Sequence, residues 1–349
     1  MVNILVLGVG GNVSQGILKA LRQSNIPMRV FGACISHLSK GLYMCDEACI
    51  SPYANSENFT NWLIDYCNQH NIDMITTGVE ENIIRIAKDI DVIKSKCKAI
   101  FVSSSYEMLL IGQNKLLTCE WLKKNNCNYP KFCSTSNFND CIDLANAVGY
   151  PLIAKPVNGK SANGIILINN DEELELCKNL KNYVLEQSIG TSESEFTVGC
   201  YCDKHSNLQD IIIMRRILDK GTTIYAKVVQ DENIRKEVEK ICNAFKPVGP
   251  LNIQLRIDKY NRPVCFELNV RFSGSTAMRS NFGYCDVKAM IKEYVLNEPI
   301  TDCFNVILGE AYRYDNEMYI YGGDATDEMK RNNVIADMKK YEIKYGAFN

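Results

Sequence analysis

The chain has 349 residues, 46% of them hydrophobic and 23% charged, which suits two or three globular domains sharing a cleft better than a single domain. A net charge of −2, with no basic stretch interleaved with aromatics, excludes nucleic acid and an anionic membrane surface as expected partners. Sixteen cysteines occur without one Cys-x-x-Cys pair, and the three histidines lie far apart, so neither a disulfide framework nor a zinc site is expected; reduced thiols in a cytoplasm are the simplest account.

The first residues, MVNILVLG, read as a strand rather than a signal peptide, and no apolar run reaches the roughly 18–20 residues that span a bilayer. Runs at 3–7, 28–35, 73–81 and 99–104 alternate with helical patterns at 13–22, at 57–69 and from the third run to about 92. That order predicts a parallel α/β sheet over about 1–110, with its loops opening at the carboxyl ends of the strands. GVGGN after the first strand is not a dinucleotide fingerprint. Val13 stands where the third glycine belongs, and no acid follows the second strand about 20 positions on, so a tight strand-to-helix turn is the favoured reading.

A helix from 115, a strand at 129–135 and a helix ending at Gly149 follow. Strands at 150–157 and 164–168 flank a glycine-containing loop, and further strands are expected at 183–189, 195–203, 208–218 and 222–229. The last three lack intervening helices, which predicts antiparallel pairing. A helix at 231–246 precedes strands at 250–257 and 263–270, and a helix at 286–297 and strands at 305–314 and 317–321 complete the series. From DATDEMKRNN onward the chain is strongly charged, and little order is expected there.

Three stretches carry chemistry. VCFELNVRFSGS alternates, so Glu267, Asn269 and Arg271 should share one face while Phe266, Leu268 and Val270 share the other. NIQLRID puts Asn252, Gln254 and Arg256 on one face; if the two strands pair, Gln254 lies near Glu267 and Asn269. Oxygen ligands with one full charge on adjacent strands suit Mg²⁺ shared with nucleotide phosphates. Lys155 precedes the loop bearing Gly159, Lys160, Ser161 and Gly164, where small residues would let backbone amides approach an anion; taken alone, a hairpin with a flexible turn is the favoured reading of that loop. YVLEQSI ends in Glu186 and Gln187, a strand end that offers an adenine hinge, and Glu195 follows as a candidate ribose partner.

Together these residues resemble the ATP-grasp superfamily, in particular its branch similar to half of carbamoyl-phosphate synthetase and to carboxylate–amine ligases. FELNVRFSGS is the most specific part of the resemblance, which runs over nearly the whole chain. The resemblance implies an α/β fold with a Rossmann-like preATP-grasp domain at 1–110, a small flap subdomain at 111–190, a C-terminal subdomain with the Mg/ATP site at 191–325 and a charged tail at 326–349. It implies that Lys115 and Lys155 contact ATP, with Gly159, Lys160, Ser161 and Gly164 forming the phosphate flap. Glu186, Gln187 and Ile189 would hold adenine, Glu195 the ribose, and Gln254, Glu267 and Asn269 the metal. Many relatives have an acid where Gln254 stands, which leaves one or two Mg²⁺ ions open, with Mn²⁺ as a substitute.

The activity so implied is formation of an amide or peptide bond from a small carboxylate and an amine through an acyl phosphate, with ATP converted to ADP and phosphate. Arg271 would absorb phosphoryl charge, and Arg279 would face the same cleft and hold the carboxylate or acyl phosphate. Glu80, Arg216, Ser273 and Gly274 are the candidate substrate residues. Two alternatives stand beside it: phosphoryl transfer to a small carboxylate, as in carbamoyl-phosphate synthesis, and an ATP-binding regulator without turnover. A homodimer is the assembly that the resemblance allows.

Overall fold

The computed structural model describes residues 1–159 and 163–346. Its first sheet holds Glu47–Ile50, Met28–Cys34, Val2–Leu7, Met74–Thr77 and Ile100–Phe101 in that order, all parallel. Ile4, Leu5, Val6 and Leu7 are all buried, as expected of a parallel strand covered on both faces. Glu47–Ile50 was not expected from sequence, since four residues, EACI, are too short to show a period. Gly8 turns the chain at φ +65, and a side chain there would collide with Val79, so the glycine serves the turn.

A six-stranded antiparallel sheet forms the centre, in the order Pro263–Asn269, Gly249–Ile257, Glu195–Cys202, Leu208–Asp219, Thr222–Val228 and Glu310–Tyr312. One face is covered by the helix Glu232–Phe245, capped by the Asp231 side chain, which accepts from the Ile234 amide. Its Ile234, Val238, Ile241 and Phe245 recur at helical spacing and pack with Val198, Cys200, Ile211, Ile253 and Leu255. The opposite face carries the polar residues described below. Opposite it stands a four-stranded antiparallel sheet of Phe132–Ser134, Tyr183–Gln187, Leu152–Pro156 and Ile166–Ile168, backed by the helix Phe138–Val148.

The segment after 324 departs from the disorder expected of it. Ala325–Asn332 is a helix, Val334–Ile335 adds an antiparallel edge strand beside Glu47–Ile50, and Glu342–Tyr345 pairs with Met318–Tyr321. The charges face outward, while Ala325, Met329, Ile335 and Met338 are buried in the core of the first sheet. Four well-spaced apolar residues were enough to dock it. All sixteen cysteines are free thiols, and no helix among the described residues is long and apolar enough to cross a membrane. Met329→Ala is expected to lower unfolding free energy by about 2–5 kcal/mol, measured by urea denaturation; a loss near zero would show that the segment is not docked.

Candidate functional site

The floor of the cleft is the antiparallel pair Gly249–Ile257 and Pro263–Asn269. Asn252 lies opposite Asn269 and Gln254 opposite Glu267, as the alternation predicts. The register then shifts, because Leu255 pairs with Cys265 and Phe266 is the extra residue of a β-bulge. Leu268 and Val270 stay in the core and Cys265 joins them, but Phe266 turns to the cleft. Its ring meets the Lys155 ammonium at 5.0 Å and the Arg256 guanidinium at 5.8 Å. Strict alternation had placed Phe266 in the core; a bulge carries no sequence mark here, so this apolar wall was missed.

Lys155 reaches down from the small sheet. Its Nζ donates to Glu186 Oε2 at 2.6 Å, and both groups are buried, so the pair fixes the position of the cation. Lys115 begins the helix Lys115–Lys124, which is capped by Asn114, and its Nζ donates to the Gly159 carbonyl at 3.0 Å. The lysine therefore touches the root of the loop expected to cover phosphates. Gly164 closes that loop at φ +75, where a side chain would press on Pro156 and Tyr183. Lys160 and Ser161 lie outside the described residues. At the hinge, the Gln187 amide donates to the Lys131 carbonyl and that of Ser188 to the Pro151 carbonyl. Ile189 is buried beyond them, and its carbonyl accepts from Arg256 Nη1.

Glu195 is held on both sides. Arg216 Nε and Nη2 donate to Oε1 at 3.0 and 2.7 Å, and Arg256 Nε and Nη2 donate to Oε2 at 3.0 and 2.7 Å. Both oxygens expected to serve a ribose are thus engaged by guanidinium groups. The Glu195 carboxylate is thus shared between two guanidinium groups. Arg216 Nη2 also donates to Gln254 Oε1 at 2.8 Å, so the expected metal ligand has its oxygen turned to a cation. Asn269 Nδ2 donates to Glu267 Oε1 at 2.9 Å. Arg215, next in sequence to Arg216, is exposed on the other face.

Arg271 lies just beyond the strand, where it lines a cavity with Glu80, Ile83, Leu109, Gly112 and Asn269. Its Nη2 is 3.9 Å from Glu80 Oε2, which brings the first turn of the helix Glu80–Lys88 to the cleft. Ser273 and Gly274 differ from expectation. The Ser273 and Ser275 hydroxyls bond each other, and the Gly274 carbonyl accepts from Arg313 Nη2 at 2.9 Å. Gly16, on the helix Asn12–Gln23, sits against Ser273, Thr276 and Ala277. The small residues therefore admit a first-domain helix rather than leaving open space. Arg313, which the sequence reading did not single out, also bonds Asn12 Oδ1 and the Thr223 carbonyl.

Arg279 is corrected as well. It is 0% exposed, and its Nη2 lies 2.6 Å from Asp286 Oδ2, which is equally buried. Its guanidinium lies over Gly199, where a side chain would collide with it. Burial pushes the Asp286 carboxyl up from its ordinary value, and the guanidinium pulls it back. Arg279 comes eight positions after Arg271, but it lies on the short helix Thr276–Asn281, which turns it into the protein. Arg279→Met leaves Asp286 buried alone and is expected to cost about 3–5 kcal/mol in urea unfolding, with much of it recovered in Arg279→Met/Asp286→Leu. Lost activity at unchanged stability would place Arg279 in the chemistry instead.

Comparison with known proteins adds three findings. A family model described as an ATP-grasp domain matches residues 112–275. N5-carboxyaminoimidazole ribonucleotide synthase of Staphylococcus epidermidis is 28% identical over 177 residues, 48% of this chain and 47% of that protein, so the chain spans about half the length of the curated relatives it matches. Among solved structures, N5-carboxyaminoimidazole synthetase from Staphylococcus aureus complexed with ADP superposes with a TM-score of 0.66 at 18% identity, covering 95% of this chain and 85% of that one. L-amino acid ligase from Bacillus licheniformis superposes at 0.67, with the same identity and coverage. At these identities the superpositions establish the fold, which is the α/β ATP-grasp fold.

Proposed function

We propose that this chain, whose residues 112–275 form an ATP-grasp domain, is an ATP-dependent carboxylate–amine ligase working through an acyl phosphate. The observation that carries this reading is the convergence of Glu267 and Asn269 on one sheet with Lys155 on the facing sheet, with Phe266 between them. Lys115 at the loop root and Arg271 at the strand end extend that cationic lining. The division at about 110, 190 and 325, a cytoplasmic location and a homodimer belong to the same proposal; sixteen free thiols support the location.

The residues fit a divalent cation. Among the described residues no three His, Cys, Asp or Glu side chains cluster, so Glu267 and Asn269 would share it with phosphate oxygens. Mg²⁺ or Mn²⁺ there would neutralise phosphate charge and orient the γ-phosphorus. Phe266 offers adenine an apolar wall, and the Lys155–Glu186 pair sets the edge of that wall. A substrate carboxylate oxygen attacks the γ-phosphorus, the bond to the β-phosphate oxygen breaks, and ADP leaves. Lys155 and Arg271 take up the charge that develops. An amine then attacks the acyl carbon, phosphate departs, and the amine proton passes to a base. Glu80, 3.9 Å from Arg271, would receive that amine. The names of the N5-carboxyaminoimidazole ribonucleotide synthases and of L-amino acid ligase support amine chemistry on small molecules.

A screen of ADP release over pairs of carboxylates, bicarbonate included, and amines tests the proposal. ADP is expected only when both partners are present, together with a product whose mass matches their condensation. ADP with a phosphorylated product and no amine would favour phosphoryl transfer. Glu267→Ala is expected to abolish turnover while leaving the circular dichroism melt unchanged. Phe266→Ala is expected to weaken ADP binding about tenfold, read by calorimetry.

A further inference from the structure

Three thiols meet behind the small sheet. Cys133 lies on the strand Phe132–Ser134, Cys141 on the helix Phe138–Val148 and Cys177 on the short helical turn Glu175–Asn179. The Cys133 thiol donates to Cys141 Sγ across 3.8 Å, and Cys141 and Cys177 pack in one apolar cluster. The ligase chemistry proposed above uses none of them. Access separates the three. Cys141 and Cys177 are 0% exposed, whereas Cys133 is half-buried, so an oxidant from solvent meets the group at Cys133. Cys285 is also half-buried, but it donates to the Ser280 carbonyl rather than to a second sulfur.

Hydrogen bonds from Cys133 and then Cys177 pull the Cys141 thiol below its ordinary value, against the upward push of burial. The group therefore gives up a proton more readily than an isolated thiol, and it is the thiolate that reacts. Closing 3.8 Å to the about 2.05 Å of an S–S bond asks for rotation of two short side chains and a small approach of strand and helix. That approach would be felt at the hinge. Phe132–Ser134 is the edge strand of its sheet and pairs with Tyr183–Gln187. Cys133 stands opposite Leu185, and Phe132 opposite Glu186, the carboxylate that holds Lys155. The preceding carbonyl, of Lys131, accepts from the Gln187 amide.

We propose that Cys133 and Cys141 form a hydroperoxide-sensitive pair, which closes to a disulfide and, by drawing the edge strand toward the helix, weakens nucleotide binding at the hinge. Cys133 loses its proton and attacks one peroxide oxygen; the O–O bond breaks, water leaves, and Cys133 carries a sulfenic acid. Cys141 then attacks the sulfenic sulfur, the S–O bond breaks, and a second water carries off the Cys141 proton. The two thiols lose two electrons in all, and the peroxide is reduced to two waters. The effect at the hinge rests on the ATP reading above; the oxidation does not.

The full chain is reduced, freed of reductant and exposed to excess hydrogen peroxide. Remaining thiols are alkylated, the digest is read by mass spectrometry, and ADP binding is measured by calorimetry on the same samples. A peptide linked through Cys133 and Cys141, lighter by two hydrogens, is expected. ADP affinity should fall by about threefold or more and return with dithiothreitol. Cys133→Ala, with an unchanged melt, should keep the ADP affinity of the reduced chain and lose both the link and the response to peroxide. Cys177→Ala should keep both. A link between Cys141 and Cys177, a sulfinic acid at Cys133 without any link, a peroxide response that persists in Cys133→Ala, or a linked chain with unchanged ADP affinity overturns the proposal. Absence of ADP binding in the reduced chain overturns the ATP reading and with it the effect at the hinge, while the linked peptide, present or absent, still decides the chemistry of the pair.

Discussion

The Glu195 carboxylate, shared between Arg216 and Arg256, joins three neighbouring strands at the edge of the cleft. A buried carboxylate with both oxygens satisfied by guanidinium donors has one stable geometry, because each lost bond would leave a charge unpaired in a poorly solvated place. That geometry sets the orientation of Arg216, and Arg216 sets the orientation of Gln254. The polar face of the central sheet is therefore a connected network rather than a row of independent side chains.

The second constraint is the bulge at Phe266. Without it, the strand would bury the phenyl ring beside Leu268, and the cleft would have no apolar wall at that position. With it, one aromatic ring receives cations from both sheets, Lys155 from the small one and Arg256 from the central one. The ring thus spaces the two layers and keeps both cations near their carboxylates, Glu186 and Glu195. This division of labour suits a nucleotide cleft, since the base needs an apolar contact while the phosphates need charge.

The first sheet contributes by contact rather than by a cofactor loop. Its leading helix packs Gly16 onto the turn that follows Arg271, and Arg313 ties Asn12 to the Gly274 carbonyl. The helix Glu80–Lys88 delivers Glu80 to Arg271 from the same side. The cavity beside Arg271 is lined from both parts of the chain, by Glu80 and Ile83 and by Leu268 and Asn269. Arg279, by contrast, belongs to the interior, where it anchors the turn through Asp286.

Most of the helix and strand order, Glu47–Ile50 and the segment after 324 apart, the antiparallel pairing of NIQLRID with RPVCFELN and the approach of Gln254 to Glu267 were legible in the sequence. Each depends on local periodicity or on a short turn, and neither needs knowledge of distant parts of the chain. Lys155 was singled out because it precedes a glycine-bearing loop, whereas Lys115 was singled out by the resemblance alone. Tertiary structure alone decided what those groups face. A bulge moved Phe266 to the cleft, the short helix Thr276–Asn281 carried Arg279 inward, and four apolar side chains docked a segment whose charges suggested disorder. The orientation of the Gln254 amide was decided the same way, because it follows from a guanidinium 38 residues earlier in the chain. Periodicity tells which side of an element a residue occupies, but a hydrogen-bond partner is a property of the packed whole.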